Sequence, residues 1–270
     1  MARTGTKVLA IARIALQETL RRKVLYIVAI LFIVALVIVG SGMVVLQMAT
    51  QAGELQAASS MKAQFVQVIL GMWGLGALFL AVFLGAVGIS SEVNGKTIVN
   101  VLSRPVERAA YLTGRWLGTA IFLLGFHILG VLFALLIARI FDVPIPQTVW
   151  LGFVEMFIDI LFFSGVSLSL SVVIPPVPAG ACAVLLSMLP SLVSNLTKNP
   201  RWIVRLPAAV AYYAGPAKMP VNLISDGFSK QVLNPDYALY IQVLAENLLY
   251  AIAVFVVGCI AFSRRELRLR

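Results

Sequence analysis

Residues 90–118 read SSEVNGKTIVNVLSRPVERAAYLTGRWLG. Six charged side chains fall in this one stretch: Glu92, Lys96, Arg104, Glu107, Arg108 and Arg115. On either side lie apolar runs, 65–89 and 113–137, that are almost free of charge. A run of about 20 apolar residues is long enough for a helix to cross the hydrocarbon core of a bilayer. The stretch therefore reads as a turn at a membrane surface between two spans. The chain reads as an all-α, polytopic membrane protein. A membrane protein that keeps one compact, mixed-charge loop of this kind is expected to touch something in water with it.

The composition points the same way. The 270 residues are 61% hydrophobic and 12% charged, with a mean hydropathy of +0.99. A soluble domain would carry about 25% charged residues. The net charge of +10 does not indicate nucleic acid, because Lys and Arg cluster beside apolar runs rather than on one soluble face. Cys182 and Cys259 both lie inside apolar runs. They read as small core residues rather than a disulfide or a metal pair. No metal-ligand spacing is found, and no long soluble segment that would hold a catalytic module of the chain's own.

Working outward from the loop, six transmembrane helices are expected, at about 24–46, 65–89, 113–137, 149–173, 179–196 and 237–262. Together they form a single transmembrane domain over residues 1–270. Ahead of them, residues 5–22 form a candidate helix. It places Lys7, Gln17, Glu18, Arg21 and Arg22 on one arc and Val8, Ala12, Ala15, Leu16 and Leu20 mostly on the other, with Ile11 and Ile14 out of pattern. That suits an N-terminal interfacial (elbow) helix, or else an extension of the first span. No A-x-A cleavage site follows the first apolar run, so it is expected to stay. The second span carries Gly71, Gly74, Gly76, Gly85 and Gly88, which let helix backbones approach closely. Pro175, Pro176 and Pro178 are expected to force a non-helical reversal. The connection 197–236 has five prolines and Trp202, Tyr212 and Tyr213. Its apolar part, 203–215, is too short and proline-bounded to span, and reads as a re-entrant external hairpin before the last span.

Orientation follows from Lys and Arg placement. With the N-terminus inside, 14 of the 21 basic residues lie before residue 24, in the 90–115 stretch or in the C-terminal tail. The expected protein is a multi-pass protein of the cell (inner or plasma) membrane, surrounded by lipid, with both termini cytoplasmic. The connection 197–236 alone carries five basic residues, a large number for an external segment.

Within the loop, Gly95-Lys96-Thr97 imitates the end of a phosphate-binding loop. That motif needs G-x-x-x-x-G-K-[ST] after a strand. Its first glycine would fall at Ser90, and an apolar span precedes the stretch. No nucleotide site is read here. The loop instead suits docking. Pro105 can open a helical turn at 106–112, beside which Arg104, Glu107 and Arg108 are exposed. A short helix of this kind fits a groove on a soluble partner.

The ordered residues Glu92, Gly95, Thr97, Leu102, Ser103, Pro105, Arg108, Leu112, Gly114, Arg115 and Gly118 resemble the cytoplasmic loop of type-2 ABC transporter permeases. The layout of elbow helix, six spans and external hairpin is similar to that family over the whole chain. Lys96 between Gly95 and Thr97, and Thr113 where a leucine often stands, are departures. The resemblance implies that the loop, about 90–112, contains a coupling helix that docks on a separate ABC ATPase subunit. Glu92, Gly95, Thr97, Arg104, Pro105, Glu107 and Arg108 would then form the docking set. It also implies a second permease copy, identical or paralogous, and no cofactor on this chain, since ATP and Mg would sit on the ATPase. The chain would be a transport subunit and not an enzyme.

Ionisable residues inside spans are expensive and so are candidates for function. His127, in the third span, and Asp159, in the fourth, fall at similar depth, so a His127–Asp159 pair is geometrically possible. Glu155 and Asp159 share a helix face at i,i+4. These three residues suit a polar lining or proton relay, or an interhelical bond that fixes packing. The proton relay belongs to an alternative, an ion-coupled secondary transporter or channel. Ser164, Ser167, Ser169 and Ser171 can satisfy themselves on backbone carbonyls. Gly114 and Gly118 suit a close helix contact at the membrane edge.

Overall fold

A computed structural model describes residues 2–21, 30, 33–34, 37–42, 44–45, 47–48, 55–94, 107–199, 201–219, 222–229 and 236–264. Helix makes up 88% of it, and no strand occurs among the described residues. The helices are α1 (Ala2–Leu20), α2 (Leu55–Asn94), α3 (Arg108–Ile140), α4 (Val149–Ser171), α5 (Pro176–Val193), α6 (Trp202–Ala214), α7 (Leu223–Ser229) and α8 (Tyr237–Arg264). A 3-10 turn, Leu196–Lys198, lies between α5 and α6.

Five described segments are long and apolar enough to cross a membrane: Met61–Ile89 within α2, then α3, α4, α5 and α8. The remaining expected span, 24–46, falls on residues of which only 30, 33–34, 37–42 and 44–45 are described, and these are helical. The rest of that span lies outside the described residues.

Element ends differ from expectation in four places. The segment 47–64 reads as a loop, yet α2 already begins at Leu55. Residues 55–64 contain no Gly or Pro, and extending an existing helix is far easier than starting one. Helix α2 also continues to Asn94, so its 40 residues run about 60 Å, twice the hydrocarbon thickness. The expected short helix 106–112 is not separate from the third span. From Arg108 onward it is the opening of α3, with Tyr111 N donating to the Glu107 carbonyl at 3.0 Å. Nor do the prolines delay the fifth span. Pro175 sits just ahead of α5 and Pro176 opens it. The first helical N–H groups have no partner within the helix, so proline gives up nothing there.

The bundle is built in three tiers. At one end, Val66, Ile69, Leu70, Ala134, Ala138, Val149, Phe153 and Phe228 pack together. In the middle, Ala77, Leu80, Ala81, Leu84, Leu123 and Ile160 are buried. At the other end, Ile89, Tyr111, Leu112, Leu168, Val172 and Phe262 converge, joined by Ile11 of α1. These contacts make α2 and α4 run one way and α3 the other, with Phe262 setting the end of α8 beside the end of α4.

Helix α2 crosses α4 closely at Gly85, where a methyl group would lie 2.5 Å from the Ser164 carbonyl oxygen. Ser167 reaches across the same contact, donating to the Val82 carbonyl at 2.8 Å. The other serines of α4 donate to their own helix: Ser164 to Leu161, Ser169 to Gly165 and Ser171 to Leu168. Of the remaining glycines of the second span, Gly88 meets Leu168 and Gly74 meets Met156, whereas Gly71 and Gly76 face open space. Cys259 is half-buried, but Cys182 is exposed on α5 rather than in the core.

Candidate functional site

Four chain segments gather at the end where α2 stops and α3 starts. Helix α1 lies along the opening turns of α3 in the same direction, Val8 and Ile11 beside Gly114, Ala12 and Ala15 beside Gly118. Its buried stripe is Ala12, Ala15 and Thr19, while Leu9, Ile14 and Leu20 are exposed. The sequence arc that grouped Leu20 with Ala12 is therefore only half right. The stripe facing α3 is set by small side chains that permit close approach.

Arg115 lies between the two glycines and is only 6% exposed. One guanidinium nitrogen donates to the Glu18 carboxylate of α1, and the other donates to the Gly88 carbonyl of α2 at 2.6 Å. Arg108 donates to the carbonyl of Ser263, in the last turn of α8, at 3.3 Å. Tyr111 lies against Phe262, ring centroids 6.4 Å apart.

Of the expected docking residues, Gly95, Thr97, Arg104 and Pro105 lie outside the described residues. Glu92 lies on the last turn of α2, and nothing is described of its side chain. Glu107 directly precedes α3, exposed and without a side-chain cap. Arg115 was read only as part of a motif. The signal for its role was the lone cation between two span-opening glycines, together with Glu18, the only carboxylate in 2–20.

A second polar region lies toward the opposite end. Glu155 and Asp159 line one cleft of about 390 Å3 with Gln67, Asn222 and Ser225. Tyr240 of α8, 1% exposed, donates its hydroxyl to Glu155. Gln67 of α2 donates its amide to the Ser225 hydroxyl of α7 at 2.7 Å. Helix α7 covers this cleft by setting Ile224 against Gly152.

His127 does not belong to this group. It is 5% exposed, its Nε2 is 3.0 Å from the Phe153 carbonyl oxygen, and its ring stacks on Phe157 at 5.7 Å. At 100° per residue, 153 and 157 face away from 155 and 159 on α4. The possible His127–Asp159 pair is therefore not formed. Sequence reasoning also missed Tyr240 as the partner of Glu155, and Gln67, Asn222 and Ser225 as lining of the same cleft. Such partnerships cross from helix to helix and leave no local pattern.

The two carboxylates differ in bonding, Glu155 alone accepting from Tyr240. Tyr240→Phe is expected to lower stability by about 1 kcal/mol, the scale of an interhelical hydrogen bond in a membrane bundle. Asp159→Asn is expected to leave stability unchanged. Thermal unfolding of the purified variants in detergent distinguishes the two, and equal losses would contradict the difference.

The family described as ABC-2 family transporter protein matches residues 9–267. No curated protein matches the chain.

Proposed function

Because the chain belongs to the ABC-2 family of transporter proteins, and so is a multi-pass permease domain of an ABC transporter, we propose that it couples to a separate ABC ATPase through the segment between α2 and α3. It is a transport subunit rather than an enzyme. ATP and Mg would bind the ATPase, and this chain would supply the path and the coupling. The single observation that carries the proposal is the convergence of α1, the end of α2, the start of α3 and the end of α8 at one end of the bundle. That end would face the cytoplasm, with Glu92, Gly95, Thr97, Arg104, Pro105, Glu107 and Arg108 at or beside the contact.

Six crossings are supported by connectivity. Helix α1 packs at the proposed cytoplasmic end, whereas the start of α2 packs at the opposite end with Val149 and Phe228. Residues 22–54 would therefore cross the bundle's length, placing both termini on one side. The re-entrant reading of 197–236 is supported by Tyr250, whose hydroxyl donates to the Ala214 carbonyl. Tyr250 lies about 20 Å along α8 from its start, so the end of α6 sits at the depth of the helix midpoint. Helix α1, with Lys7, Arg13 and Arg21 exposed, would be the elbow helix at the cytoplasmic leaflet of the cell membrane. Two copies, identical or paralogous, would form a twelve-span pathway. Motion of the docked loops would rock it between inward- and outward-facing states. The cleft of Glu155 and Asp159 would line that pathway. The ion-coupled alternative has less support, because His127 faces away from both carboxylates.

Reversing the loop charges with Arg104→Glu and Glu107→Arg is expected to weaken ATPase binding by about tenfold or more while the permease stays folded. Co-purification with the cognate ATPase subunit checks this. Unchanged recovery of the ATPase would sink the docking assignment.

A further inference from the structure

Helix α8 carries Gln242 and Glu246 one turn apart, both exposed, with the Gln242 amide donating to the Glu246 carboxylate at 2.9 Å. At 1.5 Å per residue α8 is about 42 Å long, and Glu246 lies about 14 Å from its start. A hydrocarbon core of about 30 Å centred on such a helix begins about 6 Å in, so this carboxyl falls well inside it. An ionisable side chain at that depth is expensive against lipid, and glutamate lacks the long stem with which lysine reaches an interface. We propose that this face of α8 is the contact with a second copy of the chain, the two α8 helices pairing in parallel through Gln242 and Glu246. The assignment rests on reading the chain as a membrane-spanning permease that works as two copies.

The spacing on the face suits a helix partner. Gln242, Glu246, Leu249, Ala253, Val256 and Ile260 are all exposed and follow one another in steps of 4, 3, 4, 3 and 4 residues. That is the repeat of a left-handed seam, in which side chains of one helix seat between those of the next. Tyr240, Asn247, Gly258 and Phe262, the buried residues of α8, lie on its opposite side at 100° per residue. Of the five described segments able to cross a membrane, α8 is the least covered by its own chain. The exposed face of α3 gives the contrast. There Ile121, Leu124, Ile128, Leu132 and Leu136 are all apolar, as lipid contact requires. The described part of the first span does not cover Glu246, since Val39 packs in the tier of Val66, and Gly42 meets Phe65 just ahead of it.

A second copy fits because the polar pair is self-complementary. Two copies in the same membrane orientation are related by a two-fold axis along the membrane normal, which sets like residues of α8 at like depth. Gln242 has a second amide hydrogen and Glu246 a second oxygen, neither with a partner among the described residues. Each copy can therefore supply what the other needs. In lipid, where apolar contact gives no hydrophobic drive, such interhelical hydrogen bonds help hold helices together. A polar residue in a seam lowers stability but fixes register and copy number.

The test uses the full chain in its native membrane, with Cys182→Ser and Cys259→Ala removing the free thiols. Single cysteines are then placed at Leu249→Cys and Ala253→Cys on the seam, and at Leu129→Cys on the exposed face of α3 as a control. A disulfide forms only where Cβ atoms come within about 4 Å. Under mild oxidation the two seam variants are expected to give a dimer with the mass of two identical chains, and Leu129→Cys to stay single. Gln242→Leu with Glu246→Leu keeps the face apolar and is expected to raise the dimer dissociation constant in liposomes about tenfold, read by energy transfer between labelled copies. Dimers formed through Leu129→Cys and not through the seam would overturn this surface while leaving two copies in place. A seam cross-link to a different polypeptide would overturn the identical-copy assignment. An unchanged dissociation constant in the leucine pair would overturn the role of Gln242 and Glu246. A chain that stays single at every position and in liposomes would overturn both this contact and the two-copy reading beneath it.

Discussion

Gly118→Leu is expected to strip α1 from the bundle. A methyl group at Gly118 would already lie on the Ala12 carbonyl oxygen and 2.7 Å from Ala15 Cβ. These are backbone and first side-chain atoms of a helix, which cannot rotate aside. An isobutyl group therefore has no room unless α1 moves as a whole. Overpacking a tight contact costs about 3 kcal/mol, at the upper end of such substitutions. The displacement would also part Glu18 from Arg115, leaving a buried cation short of its counter-charge. Limited trypsin digestion reads the result directly. Cleavage after Arg13 and Arg21 is expected to accelerate in the variant, and an unchanged digestion rate would show that α1 is not seated as described.

Gly85→Leu is expected to produce the second large effect, at the crossing of α2 and α4. The glycine Cα faces the Ser164 carbonyl oxygen, and a first carbon there would also sit 3.0 Å from Ser167 Cβ and 3.1 Å from Leu168 N. Without a hydrophobic drive between helices in lipid, close van der Waals contact is what holds such a crossing. Separating the helices would break the Ser167–Val82 hydrogen bond and loosen the middle tier and the tier where α2 ends at once. A loss of about 3 kcal/mol is expected, seen as a clear drop in melting temperature in detergent. Gly76→Leu is the matched comparison, since nothing lies within 4 Å of that position. It is expected to leave stability within about 0.5 kcal/mol of wild type, as for substitutions away from packed features.

Sequence alone placed most of the membrane-crossing helices, because a bilayer imposes a long apolar run that few other structures need. Residues 149–173 and 237–262 correspond closely to α4 and α8. Boundaries were harder where the helix runs on beyond the apolar run. Helix α2 begins at Leu55, through Gln, Ala, Met and Lys that are good helix formers, and continues to Asn94, and hydropathy is blind to both extensions. The reversal expected at the proline cluster is present at 172–175, but it is shorter than expected, because at the first helical turn proline is harmless and Pro176 and Pro178 already belong to α5.

The polar partnerships were the least legible part. Glu155 and Asp159 shared a face at i,i+4 in the sequence and share a cleft in the structure. Tyr240 lies 85 residues from Glu155, and Arg115 lies 97 from Glu18, so no local spacing announces either contact. A His127–Asp159 pair is possible from depth alone. Depth fixes one coordinate, and the rotation of α4, which turns Phe153 toward His127, fixes the other.

The central claim is that this permease is driven by a separate ATPase held at the α2–α3 segment. Reconstitution into proteoliposomes tests it most directly, comparing the purified chain alone with the chain plus its cognate ATPase subunit. The account predicts ATP hydrolysis only when the ATPase is present, with the ATPase retained by the wild-type chain and lost from the Arg104→Glu, Glu107→Arg variant. A purified chain that moves its substrate across the bilayer with no ATPase present, or an ATPase retained equally by wild type and variant, would contradict it.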